Sequence, residues 1–367
     1  MKIFIKCKEL LDSLQKVAGV IEKAHTIKIL SNVLIRTEND LVTFVATDSD
    51  IQIVDKAHAT IGEKGELTVS GRKLIDICKF LPDQSEISLY GYNDKLEIKC
   101  NSSNFVLKTL PADNFPTLKE IEDFCEIVVR PVDFKKALDN TLFSMGLQDV
   151  RSFLNGLYIR AEKQSLTLVA SDGHRLATTE AKLEDTLSQT LETIVPRKAA
   201  LELVRLIGEK ETKTIKLKFS KRFMLAEVGK LVFMGKVLDC KFPNYRNVIP
   251  PFSESIIKID ARGFKEALGR VSILSNEISR GVLFNIGKNE VVLTSHNNEQ
   301  EQATEAVQIE YDGDPIALGF NSSYVIDALK RITSERVFVN INGERKSMTI
   351  AEGNDSFEKF LVMPMKI

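Results

Sequence analysis

Three stretches, ATDSDIQIV (46–54), ASDGHRLAT (170–178) and TSHNNEQEQA (294–303), each follow a strand-like apolar run, and Thr47, Ser171 and Ser295 stand 124 residues apart twice over. A second landmark follows each of them: SGRKLIDICKFL (70–81), VPRKAALELVRLI (195–207) and FNSSYVIDALKRI (320–332), with Gly71, Pro196 and Asn321 separated by 125 and 125. Upstream lie the amphipathic segments CKELLDSLQKVAGVI, PVDFKKALDNTLF and ARGFKEALGRVSIL, and each unit closes on a third landmark, NFPTL (114–118), KFPNYRNVIP (241–250) or VMPMKI (362–367). Four landmarks in the same order three times over are a structural repeat. The period exceeds the ~20–50 residues of solenoid repeats, so each unit is long enough to hold its own core. Three domains are expected, 1–122, 126–252 and 254–367.

Within a unit the order reads strand, helix, several strands, helix, several strands. Leu10, Leu11, Leu14, Val17, Ala18 and Ile21 recur at helical spacing, as do Leu74, Ile75, Cys78 and Leu81. KLEIKC (95–100), FVLKTL (105–110) and TIKLKFS (214–220) alternate with a period of two, the mark of half-exposed strands. The expected class is α+β: two helices per unit laid on antiparallel sheets. Such units leave sheet edges, and an unpaired edge invites a neighbour.

Composition narrows the function. With 43% hydrophobic and 28% charged residues and 10 prolines in 367, the chain is a folded one of two or three domains. No apolar run nears the ~20 residues that span a bilayer, and MKIFIKCKEL interleaves lysine with apolar residues, unlike a signal peptide. Cys7, Cys78, Cys100, Cys125 and Cys240 are odd in number, with no C-x-x-C or Cys/His ligand spacing, so neither a disulfide framework nor a metal site is expected. A cytoplasmic protein without a cofactor is the expectation.

The net charge of -1 hides an uneven distribution. The six expected helices (7–22, 71–81, 131–148, 196–207, 261–274 and 321–332) carry 15 basic against 9 acidic residues, leaving 35 against 42 elsewhere. Basic helices on an acidic body suit a polyanion, although Lys and Arg also favour any helix surface. No aromatic platform accompanies these helices, so contact with a nucleic-acid backbone, without sequence preference, is the mode they suit.

SDGHRL (171–176) admits two readings. A three-domain hydrolase would use Ser171, Asp172 and His174, given a base and an oxyanion donor in reach. Against this, Asp172-Gly173 is a common turn pair, and the positions matching His174 in the other repeats are Asp50 and Asn298. That makes a recurrent polar turn.

The stretches QDVRSFLNG, SDGHRLA, VPRK, FPNYR, ILSNE and VMPM, in this order and spacing over the whole chain, resemble the bacterial DNA polymerase sliding clamps, the beta subunit of polymerase III. The resemblance implies a non-catalytic, head-to-tail homodimer: a ring of six clamp domains whose helices face duplex DNA. It would tether DNA polymerase III core, the clamp loader and other proteins that dock through short peptide motifs, for processivity. It implies DNA contacts from Lys23, Lys28, Arg72, Gln148, Arg197 and Lys198. Ala24, Ser152, Phe153 and Asn247 stand where the family often has arginine, tyrosine, tyrosine and arginine. It implies a peptide-binding pocket of Leu154, Ser171, Gly173, His174, Arg175, Leu176, Pro243, Asn247, Val248, Ser347, Leu361, Val362, Met363, Pro364 and Met365. It also implies a dimer seam in which Leu74, Ile75, Cys78, Phe105 and Leu107 meet Ile273 and Leu274, although these residues suit an ordinary core as well.

Overall fold

The computed structural model describes residues 1–21, 27–118, 123–208, 213–252, 255–342 and 346–367. Among them are six α-helices: α1 (Cys7–Val17), α2 (Gly71–Lys79), α3 (Pro131–Asp139), α4 (Arg197–Ile207), α5 (Ala261–Val271) and α6 (Ser322–Leu329). Five follow directly on a strand and α3 after one intervening residue, and the apolar stripe is buried, as with Cys7, Leu10, Leu14 and Val17 on α1 and Leu74, Ile75 and Cys78 on α2. Two of the helix starts have side-chain caps. Asn321 accepts the N–H groups of Ser323 and Tyr324 at 3.0 and 3.3 Å ahead of α6, and Asp260 accepts that of Gly263 ahead of α5. The third helix is shorter than the periodicity suggests. It stops at Asp139 rather than 148, where the Thr141 hydroxyl donates back to the Ala137 carbonyl at 2.8 Å and a 3-10 turn, Leu142–Ser144, follows.

By contacts the chain forms two compact units. The first is Met1–Lys135, Leu183–Asp185 and Lys198–Asp239; the second is Lys136–Lys182, Thr186–Arg197 and Cys240–Ile367. Each holds one antiparallel sheet, of 13 strands in the first and 12 in the second. The middle repeat is divided between them because its strands extend both neighbouring sheets. In the first unit Val232–Gly235 pair with Val54–Ile51, and in the second Arg175–Thr178 pair with Val362–Lys359. Backbone groups at an edge must find partners, and here one repeat supplies them to the next.

The alternation read from the sequence appears as burial. Ile215, Leu217 and Phe219 point inward while Lys216 is exposed, and Leu96, Ile98 and Cys100 are buried between exposed Lys95 and Lys99. The second unit packs Phe264, Phe284, Phe320 and Phe360 into one cluster with α5 and α6. Phe264 and Phe284 meet edge-on at 6.2 Å, as do Phe284 and Phe320 at 5.3 Å.

Candidate functional site

The SDGHRL segment is a closed turn joining the strands Ser165–Ser171 and Arg175–Lys182. The Ser171 hydroxyl donates to the Arg175 carbonyl at 2.7 Å and accepts the Gly173 N–H at 3.1 Å. Asp172 Oδ1 accepts the N–H groups of His174 and Arg175, each at 2.9 Å, while its Oδ2 takes Arg175 Nε at 3.0 Å. Gly173 has φ +87°, a left-handed conformation that suits glycine. The first repeat builds the same turn from Thr47 and Asp48. There the Thr47 hydroxyl donates to the Ile51 carbonyl at 2.8 Å, and Asp48 Oδ1 accepts from Asp50 and Ile51 at 2.9 and 2.7 Å. In the third repeat Asn297 Oδ1 accepts the N–H groups of Glu299 and Glu301 at 3.0 Å, while the Ser295 hydroxyl turns to the Val271 carbonyl at 2.6 Å. Among the described residues no base hydrogen-bonds the Ser171 hydroxyl, whose proton is already given to a carbonyl. The hydrolase reading therefore has no support in this geometry: the polar residues are turn chemistry.

Beside this turn the second unit opens a cleft of about 210 Å³. Of the residues expected there, Leu154, Ser171, Gly173, Arg175, Leu176, Pro243, Val248, Leu361 and Met363 line it. Strand register brings the segments together: Leu176 is opposite Leu361, Arg175 is opposite Val362, and the Met363 N–H donates to the His174 carbonyl at 2.8 Å. Val362 belongs to the core cluster, and Ser347 is buried on the neighbouring strand opposite Asn342. Met365 is held by its N–H to the Gly319 carbonyl at 2.9 Å, with Pro364 half-buried before it; His174 and Asn247 are exposed.

Four further residues line the cleft: Arg151, Phe153, Phe242 and Tyr245. Phe242 stacks on Tyr158 at 4.8 Å and meets Phe153 edge-on at 6.0 Å, making an aromatic wall. Burial, then Glu192, pushes the Tyr158 hydroxyl well above its ordinary range, so it stays protonated. The stretch KFPNYR contained Phe242 and Tyr245 as a repeat landmark, and their aromatic character beside Pro243 was the available signal. Arg151 is held by Asp149 through Nε and Nη2, both at 3.0 Å, and these bonds pull the Asp149 carboxyl down to about 2.

Arg175 ties the cleft to α6. Its guanidinium lies 4.4 Å from the Tyr324 ring centroid and 5.3 Å from that of Phe143, and it pairs with Asp172 at 3.0 Å and Asp327 at 2.9 Å. At the equivalent place in the first unit the Lys236 N–H donates to the Asp50 carbonyl at 2.9 Å, just as Met363 does to His174. There the Lys236 ammonium pairs with Asp50 at 2.9 Å, and Lys198 pairs with Asp48 at 2.6 Å. One crossing thus presents lysine and carboxylate, the other methionine and proline.

The remaining expected residues are spread over both units. Lys23, like Ala24, lies outside the described residues. Lys28 and Arg72 are exposed, Arg72 on the first turn of α2; Gln148 is exposed at φ +55° in the loop after α3. Arg197 is half-buried and donates to the Met145 carbonyl at 2.9 Å. Leu74 and Cys78 are wholly buried, and Ile75 nearly so at 9% exposure, which puts them under the surface of α2. Burial raises the Cys78 thiol to about 12, so it is an inert apolar group. Phe105, Leu107 and Leu274 are half-buried, and Ile273 is 76% exposed.

Three like repeats, helices on sheets that cross from repeat to repeat, and an apolar cleft at one crossing make up a clamp-type fold. Models of the DNA polymerase III beta subunit match it as N-terminal domain over residues 1–119, central domain over 129–244 and C-terminal domain over 246–366. The chain belongs to this family, the beta sliding clamps. The beta sliding clamp of Pseudomonas aeruginosa is 35% identical and that of Escherichia coli K12 33% identical, each over all of both chains. A crystal structure of the Pseudomonas aeruginosa sliding clamp with ligand superposes with a TM-score of 0.96 at 35% identity, and the Caulobacter crescentus beta sliding clamp with a TM-score of 0.95 at 33%, again over all of both chains.

Proposed function

We propose that two copies of this chain close head to tail around duplex DNA, slide without sequence preference, and tether a DNA polymerase and other partners without catalysing a reaction. The observation that carries the ring is a pair of open edges. The strand Leu231–Lys236 closes the second repeat and pairs with Ile51–His58; the strand Lys359–Val362 closes the third and pairs with Arg175–Lys182. The corresponding strands left over are Ser103–Leu110 and Gln302–Glu310, which among the described residues pair outward only at Thr109 and Leu110 and at Ile309 and Glu310. Their join, made between two copies, repeats a pairing used twice within the chain, and a heterologous contact of this kind closes when its rotation permits. Phe105 and Leu107 on one edge, with Ile273 and Leu274 behind the other, supply the apolar part of the seam; Leu74, Ile75 and Cys78 support it from beneath. The repeats 1–122, 126–252 and 254–367 are then the six domains of the ring, taken twice.

Lys28, Arg72, Gln148, Arg197 and Lys198 face the DNA backbone. The cleft of the second unit takes the apolar end of short peptides from polymerase III core, the clamp loader and other clamp-binding proteins, whose local concentration at DNA the tether raises. The ring works in the cytoplasm. A sedimentation mass of twice 41.2 kDa, with retention on circular DNA that ends when the DNA is cut, is the expected result. A 41.2 kDa particle, or retention indifferent to cutting, refutes the ring.

A further inference from the structure

The docking cleft shares a sheet face with a second concavity. In the strands Gly156–Glu162, Ser165–Ser171 and Arg175–Lys182, the pairs Arg160 with Thr167 and Thr167 with Glu180 set one face. Alternation puts Tyr158, Arg160 and Glu162 on it with Ser165, Thr167 and Val169, and with Leu176, Thr178, Glu180 and Lys182. Phe242 and Tyr245 cross this face over Tyr158, at centroid distances of 4.8 and 6.0 Å. On the Leu176 side lies the apolar cleft. On the other is an open cleft of about 790 Å³, lined by Arg160, Lys163, Lys182 and Arg246 with Glu162 and Glu180. Arg160 is taken by Glu162 at 2.8 Å and Glu192 at 3.6 Å. Among the described residues Lys163, Lys182 and Arg246 have no carboxylate in ion-pair reach.

We propose that this charged cleft receives an acidic stretch that flanks the apolar anchor of a docked peptide. The inference rests on the peptide-docking reading of the apolar cleft. The turn Tyr245–Asn247 joins the two sites, giving Tyr245 to one and Arg246 to the other. A chain leaving the apolar cleft over this turn meets Lys163, Lys182 and Arg246, the last held against the Tyr245 ring at 5.9 Å, set against Glu162 and Glu180. Carboxylates spaced along a peptide match that arrangement, and the Glu162 and Glu180 carboxylates in the lining disfavour a nucleic-acid backbone.

The test uses the full-length protein and a fluorescent hexapeptide ending in Leu-Phe, bare or extended at either end by a short acidic or a short Asn/Gln run. In low salt one acidic extension should bind about five-fold tighter than its neutral counterpart, the scale of a few exposed ion pairs. High salt should erase the gain. The double variant Lys163→Glu/Lys182→Glu should also erase it while binding the bare peptide normally. Equal affinity of acidic and neutral extensions at both ends overturns the inference. A bare peptide that fails to bind the unaltered protein removes the docking reading itself. Loss of the acidic gain to a competing single-stranded oligonucleotide, with the bare peptide still bound, assigns the cleft to nucleic acid instead.

Discussion

Replacing Ile273 and Leu274 with alanine should take the ring apart without unfolding its subunits. Ile273 is 76% exposed in the single chain, at the middle of the 3-10 turn that follows α5, where an ordinary surface helix turns polar. Each substitution removes three carbons, and a carbon group newly buried at a seam contributes about 0.8 kcal/mol. Ile273 therefore contributes about 2 kcal/mol per seam, and Leu274, already half-buried, about 1 kcal/mol. A closed ring has two seams, so the double variant should lose about 6 kcal/mol, roughly 10⁴-fold in the dimer dissociation constant. Sedimentation velocity over a dilution series should show the unaltered chain as a dimer where the variant is a monomer. Ile273→Ala alone should change the subunit's unfolding free energy, read by urea denaturation, by no more than about 0.5 kcal/mol, since an exposed side chain supports little of the fold. A double variant that dimerises as tightly as the unaltered chain would refute the placement of the seam.

Arg72→Ala should reduce the slope of log affinity for DNA against log salt by about two, one phosphate for each copy in the ring. Lys198→Ala should change it less, because that ammonium is engaged by Asp48 at 2.6 Å; equal slopes for Arg72→Ala and the unaltered chain would place Arg72 off the DNA. Removal of Met363–Ile367 should abolish binding of a peptide ending in Leu-Phe and leave the dimer intact, with His174→Ala the milder change; calorimetric titration reads both, and normal affinity after truncation would reject the cleft. Gly173→Ala should cost about 1 kcal/mol for its positive φ. A Cβ there would also meet Arg151 Nη2 at 2.6 Å, so that guanidinium must move from its place in the cleft and peptide affinity should fall; unchanged affinity would show that Arg151 has no part in docking.

What was legible in the sequence was whatever depends on near neighbours. Helical spacing located α1, α2, α4, α5 and α6 to within a few residues, because a buried stripe must recur every turn. The polar turn could be read from Ser171 to Arg175, because Asp172 finds its N–H partners two and three residues on. The apolar pattern extends the third helix to 148, but the Thr141 hydroxyl turns back to the Ala137 carbonyl and the chain changes to a 3-10 turn. The residues proposed for docking follow from resemblance to a family, residue by residue, and nothing in local patterning separates Val362, which packs in the core, from Leu361, which lines the cleft.

Burial and pairing were decided by partners far away in the chain. Cys78 and Ile273 are both apolar residues at the C-terminal ends of amphipathic segments, yet one is wholly enclosed beside Cys7 of α1, whose thiol donates to its carbonyl at 3.4 Å, and the other is 76% exposed. The aromatic wall needed Phe242 and Tyr245 brought over Tyr158, and the cleft needed the strand of Leu361 laid against that of Leu176. From its own composition the chain determined three repeats, their helices and their turns, because these follow from contacts a few residues long. Only the tertiary structure decided that one repeat crossing is closed by the Lys236–Asp50 pair while the other opens beside Met363, because register between strands far apart in the chain sets which side chains meet there.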